Sequence, residues 1–130
     1  MAPKAVVTLG STDFEMTAQV RQHTVIVDEP IESGGQDKGP EPNEYLCVAL
    51  ASCTTATIKM YLNHKQIKID KLSVEVIKET TEDKKNIFKR NITIEGSFDA
   101  AMREHILAIA NKCPIHKILE AANTIETKLA

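Results

Sequence analysis

The residues of this chain best suited to chemistry are its three cysteines, Cys47, Cys53 and Cys113. A thiol can act as nucleophile, metal ligand or disulfide partner, and its surroundings decide which. Cys53 lies in the apolar run VALASCTTATIKM. On a helix at 100° per residue, Leu46, Ala49, Leu50, Ala56, Thr57 and Met60 fall within about 60° of it. Cys53 is therefore expected at the centre of an apolar stripe. It sits about three turns into that helix, beyond reach of the terminal dipole, so a thiolate there needs a cationic neighbour from elsewhere. Cys113 precedes Pro114 and follows Lys112 at a break between two helical patterns. A helix start beside the thiol favours the thiolate. Cys47 projects about 120° away from Cys53 on the same helix and reads as a packing residue.

Other chemistries find less support. Cys113-Pro-Ile-His116 has a Cys-x2-His spacing that Cys53, His23 or His64 would have to complete, but no paired ligand clusters accompany it, and no metal or other cofactor is expected. The glycines at 34, 35 and 39 lack the Lys-Ser/Thr ending of a phosphate loop. Ser33 and Ser52 have no nucleophile-elbow pattern. The basic stretch Lys84 to Arg90 is interrupted by Asn86 and Ile87 and follows Glu82 and Asp83, so it reads as a solvated hairpin. Net charge is −2, and five aromatics with no Trp leave few stacking platforms; nucleic acid is not an expected partner. No signal-peptide pattern and no run of about 18 apolar residues stands out. A cytoplasmic chain with no membrane partner and with reduced thiols is expected, and three cysteines at irregular spacing do not make a disulfide framework.

The elements that must position the thiols follow from pattern. Ala5 to Leu9, Phe14 to Val20 and His23 to Val27 read as strands separated by turn signals. Asp28 to Pro42, DEPIESGGQDKGPEP, is too rich in Pro and Gly for any regular element and reads as a long loop. Pro42 then opens a helix to about His64, with Glu44 in its first turn. Leu72 to Glu79 and Ile87 to Phe98 alternate as strands around a polar turn. Asp99 caps a helix to about Lys112, and Pro114 starts a shorter one to about Ala122. Thr124 to Leu129 reads as a closing strand. The class is α+β, one domain over residues 1–130, with antiparallel sheets on a long helix. One sheet face is left over, and a second copy of the chain is the economical cover.

Two segments resemble a known family. GPEPNEYLCVALASCTTATIKMY (Gly39 to Tyr61) is similar to the core signature of the OsmC/Ohr family, and CPIHKILEA (Cys113 to Ala121) to its Cys-Pro-x-x-x-x-Leu motif. The spacing of the two and the element order match as well, and DEPIESGGQDKGPEP resembles the DxPxxxGGxxxGxxP stretch of the OsmC-like predicted redox protein branch. The resemblance implies an intertwined homodimer with sites at its interface, the long central helix carrying Cys53, and no metal or flavin. It implies a thiol-dependent peroxidase: Cys53 attacks a hydroperoxide, Cys113 resolves the sulfenic acid as a disulfide, and a dithiol, small molecule or protein, reduces it. The family's active members place a Glu ten residues before the first Cys to orient an Arg. Here that position is Asn43. Glu44, nine before, projects about 180° away from Cys53 and reads better as a favourable charge at the helix start. Arg21 occupies roughly the family Arg's place and reads equally as thiolate activator or surface residue. The departure at Asn43 leaves an alternative open: a dimeric small-ligand-binding or redox-sensing protein with little peroxidase activity.

Overall fold

The structure is a computed structural model that describes residues 2–130. Among the described residues the order is three strands, a 3-10 turn, a long helix, two strands and two further helices. The chain forms two compact units, one ending at Leu46 and the other comprising Cys47–Ala130.

In the first unit, β1 (Val6–Leu9), β2 (Met16–Val20) and β3 (His23–Val27) form an antiparallel meander. Their β-branched residues suit a pleated surface. Arg21 and Gln22 make the tight turn between β2 and β3. The loop after β3 is more ordered than its composition suggests. Ile31–Ser33 forms a 3-10 turn, where no regular element was expected. The organiser is Asp28, a buried carboxylate. Its Oδ1 accepts from the Glu29 amide at 2.8 Å, and its Oδ2 from Gln36 at 3.3 Å and Lys38 at 3.1 Å. A side chain with four lone-pair sites thus replaces the ladder bonds the loop lacks. Two glycines let the loop close on itself: a Cβ at Gly35 would stand 2.0 Å from the Glu29 carbonyl oxygen, and one at Gly39 2.5 Å from that of Ile26.

Helix α1 runs Pro42–His64, as the Pro start implied. Its first turn is tied to β3 by the Tyr45 hydroxyl, which donates to the Ile26 carbonyl at 2.6 Å. By length and mean composition α1 would also suffice to cross a membrane, which the sequence reading did not credit. Its Ile58 and Leu62 instead belong to a protein core.

The second unit is built on that core. The hairpin β4 (Lys71–Thr80) and β5 (Asn86–Glu95) is in register from Lys71 opposite Glu95 to Thr80 opposite Asn86. Helix α2 (Ala100–Ala110) starts at Asp99, whose carboxylate accepts from the Met102 amide at 2.9 Å. Helix α3 (Pro114–Glu120) follows at once. Ile58 and Leu62 of α1, Ile94 of β5, and Ile106 and Ala110 of α2 form the buried cluster, flanked by Tyr61, Leu72, Ile92, Phe98 and Met102.

Two expectations fail. The buried residues of α1 are Leu50, Thr54, Ile58 and Leu62, whereas Met60 is 67% and Leu46 41% exposed. Cys53 therefore flanks the buried stripe, about 100° from Thr54. The helix is apolar on most sides, so periodicity could not tell which side would pack. The closing strand Thr124 to Leu129 does not form: this segment has no regular structure, and Ile125 and Leu129 are exposed. Its β-branched composition meets no neighbouring strand, and a strand without a ladder leaves its backbone groups to water.

Candidate active site

Cys53 and Cys113, 60 positions apart, come together. Their thiols are near enough for each to influence the other's ionisation. Helix α1 supplies Cys53 by continuing unbroken through Ser52, Thr54, Thr55 and Thr57. The four hydroxyls would be costly on a helix, but each donates to the carbonyl four residues back, at 2.7 to 2.8 Å. The α2–α3 break supplies Cys113. It caps α3 because Pro114 cannot continue α2 but readily starts a new helix. Cys113 is fully buried, Cys53 is half-buried, and both are free thiols.

The two thiols differ electrostatically. Burial pushes the Cys53 thiol up, and its position as donor to Cys113 pushes it further; the Ile115 amide and the Thr57 hydroxyl offset only part of this. Burial also pushes Cys113 up, but the neighbouring Cys53 thiol, the His116 amide, the Thr54 hydroxyl and the Ile115 amide favour its thiolate and bring it below its ordinary value. Of the two, Cys113 is thus the thiol whose ionisation its surroundings favour.

One further group enters this site that sequence reasoning left on a solvated hairpin. Arg90 turns inward from β5. Its Nη1 donates to the Thr54 hydroxyl at 3.0 Å. Its Nη2 donates to Asn111 Oδ1 at 2.8 Å and lies 3.0 Å from His116 Nδ1. His116 Nε2 is 3.1 Å from Glu120 Oε1. One neutral tautomer satisfies both contacts: Nε2–H donates to Glu120, and Nδ1 accepts from Arg90. The signal was present in the sequence. Arg90 has the parity of Ile92 and Ile94, so strand alternation puts all three on the covered face.

Of the remaining expected residues, Arg21 and Glu44 belong to the first unit. Arg21 is exposed at the β2–β3 turn with φ 52°, its Nη1 donating to Gln22 Oε1 at 3.4 Å. Glu44 Oε1 accepts from the Glu41 amide at 2.9 Å, so its carboxylate serves the start of its own helix. Cys47 is half-buried on α1. His116 keeps the Cys-x2-His spacing, but its ring nitrogens face Arg90 and Glu120.

A family model described as OsmC-like protein matches residues 35–128. No functionally curated protein matches the chain. Among solved structures, an OsmC-like protein of Mycoplasma pneumoniae aligns with a TM-score of 0.76 at 24% identity, over 92% of this chain and 88% of that one. An organic hydroperoxide resistance protein of Legionella pneumophila aligns at 0.65 and 18%, over 92% and 90%. The organic hydroperoxide resistance protein of Bacillus subtilis aligns at 0.63 and 15%, over 92% and 91%. These likenesses establish a shared fold.

Proposed function

Since this chain belongs to the OsmC-like protein family, we propose that it is a thiol-dependent peroxidase reducing organic hydroperoxides or hydrogen peroxide through Cys53 and Cys113. The observation that carries the reading is the proximity of two free thiols 60 positions apart, each within one of the two family-like motifs. The names of the Legionella and Bacillus structures point the same way.

Cys53 is the half-buried thiol of the pair and meets the peroxide first. Its thiol gives up a proton to solvent, and the thiolate sulfur attacks the outer oxygen of ROOH. The O–O bond breaks, the alcohol ROH leaves with a proton from solvent, and Cys53 is oxidised by two electrons to the sulfenic acid. The Cys113 sulfur then attacks that of Cys53; water leaves and the disulfide forms. A dithiol reductant supplies two electrons and two protons to restore both thiols. We further infer that the working form is a homodimer, as is typical of the family.

The test is a peroxide titration of the reduced protein with cumene hydroperoxide, counting free thiols and mapping disulfides by mass spectrometry. Two thiols lost per peroxide, with a Cys53–Cys113 link, is the expected result. Unchanged peroxide consumption in Cys53→Ser would sink the assignment.

A second reading is favoured by one observation. The carboxylate nearest the family's Glu position, that of Glu44, is occupied by the Glu41 amide, and among the described residues it makes no ion pair with Arg21. A family member that binds a small ligand instead would then consume peroxide no faster than free cysteine does.

A further inference from the structure

The geometry points to Arg90 as a positioning residue: it clamps the α2–α3 break, which carries Cys113, onto helix α1 beside Cys53, and so sets how readily the two thiols close into a disulfide. The inference deepens the peroxidase reading and rests on it for its place in catalysis.

The break needs an external hold. It consists of Asn111, Lys112 and Cys113, between the end of α2 at Ala110 and the start of α3 at Pro114. Its backbone bonds are local. The Lys112 and Cys113 amides donate to the Ile109 and Ala110 carbonyls at 3.0 and 3.3 Å, and the Lys117 amide donates to the Cys113 carbonyl at 3.3 Å. These bonds fix the turn but not where the turn stands against α1. Helix α3 adds little anchorage: it has seven residues, none of them buried, and a helix that short is marginal by itself. A polar clamp therefore decides more here than it would on a helix with its own buried face.

Arg90 supplies that clamp, and every residue it reaches lies in the second unit. Its Nη1 donates at 3.0 Å to Thr54, the residue after Cys53 in α1. Its Nη2 carries two hydrogens. It donates at 2.8 Å to Asn111, ahead of Cys113, and lies 3.0 Å from Nδ1 of His116, beyond Cys113. Each acceptor is prepared for its bond. The Thr54 hydroxyl sends its own hydrogen to the Leu50 carbonyl at 2.7 Å, which leaves its oxygen to accept. Glu120, 3.1 Å from His116 Nε2, favours the tautomer whose Nδ1 accepts. Among the described residues, Arg90 is the one side chain that hydrogen-bonds to α1 and to both sides of the break, and it makes no ion pair. The place thus uses the fixed fork of the guanidinium more than its charge.

The test uses no peroxide. Full-length protein carrying Cys47→Ser is equilibrated with glutathione redox buffers at neutral pH, and the Cys53–Cys113 disulfide is counted by mass spectrometry. Each bond closed takes two electrons and two protons from the thiols and turns one glutathione disulfide into two glutathiones. The midpoint gives the effective concentration of one thiol at the other. Arg90→Met is expected to lower it about tenfold, through lost alignment. Asn111→Ala, which removes one arm of the clamp at an exposed residue, should lower it about threefold. Arg90→Lys keeps the charge but lacks the fork, so most of the loss should remain. Urea unfolding of each reduced variant reports stability separately: lowered stability with an unmoved midpoint marks a merely structural role and overturns the proposal. Full recovery in Arg90→Lys overturns it too, by assigning the effect to charge. Should Arg90→Met not fold, the midpoint of Asn111→Ala decides in the same way. A parent that closes the bond in glutathione yet consumes no peroxide would strike the peroxidase reading alone.

Discussion

Asp28 keeps a negative charge in a buried place, and that has a pH signature. Burial pushes its carboxyl up, but the amides of Glu29, Lys38 and Gln36, with the Lys38 charge, outweigh burial and hold it below its ordinary 3.8. A carboxyl lowered in the folded state contributes stability that is present above its unfolded value and lost as pH falls through the folded one. Asp28→Asn should therefore unfold at lower urea than the parent near neutrality, and the gap should close as the pH drops below about 3.8. A constant gap across that window would show that the charge contributes nothing. The sequence marks Asp28 only as the first residue of a Pro- and Gly-rich stretch, because its three donors come from one, eight and ten positions onward and meet only in the folded loop. Cys53 and Cys113 were legible as a pair through two motifs. Arg90 was legible through its parity with Ile92 and Ile94 but was masked by the lysines before it. Which thiol ionises more readily was not legible at all, since it depends on a hydroxyl and two amides that converge only on folding.

The elements were read more accurately than their faces. Pro42, Asp99 and Pro114 mark helix starts because each acts locally, through a missing N–H or a capping carboxylate. The β4–β5 hairpin follows from strict alternation on both strands. Which side of α1 packs, and whether Thr124 to Leu129 pairs, are questions about partners that no local pattern answers. The packed side now has an energetic test. Ile58 is fully buried within the cluster of Leu62, Ile94, Ile106 and Ala110. Ile58→Ala should destabilise by about 3 kcal/mol in denaturant unfolding, the lost transfer energy plus the cavity left behind. Met60→Ala, on the exposed side, should cost well under about 1 kcal/mol. Equal costs at the two positions would mean that the wrong face has been assigned to the core.

At the scale of the whole molecule, apolar side chains remain uncovered in both units: Val6, Val7 and Leu9 on β1 in the first, and Ile77, Ile87, Leu107 and Ile118 in the second. Exposed apolar surface on this scale is characteristic of chains that associate. Sedimentation at the mass of two 14.4 kDa chains is expected, and a single-chain mass at micromolar concentration would remove the homodimer. The separation of the two thiols along the chain has a consequence of its own. A bond between Cys53 and Cys113 would encircle β4, β5 and α2 in one covalent ring. Cross-linking a loop of that length restricts the unfolded chain and favours the folded one by about 4 kcal/mol in the chain-entropy account. Peroxide would then do more than consume two thiols: it would cinch the second unit shut, and resistance to denaturant or protease would record the oxidation until a reductant released it.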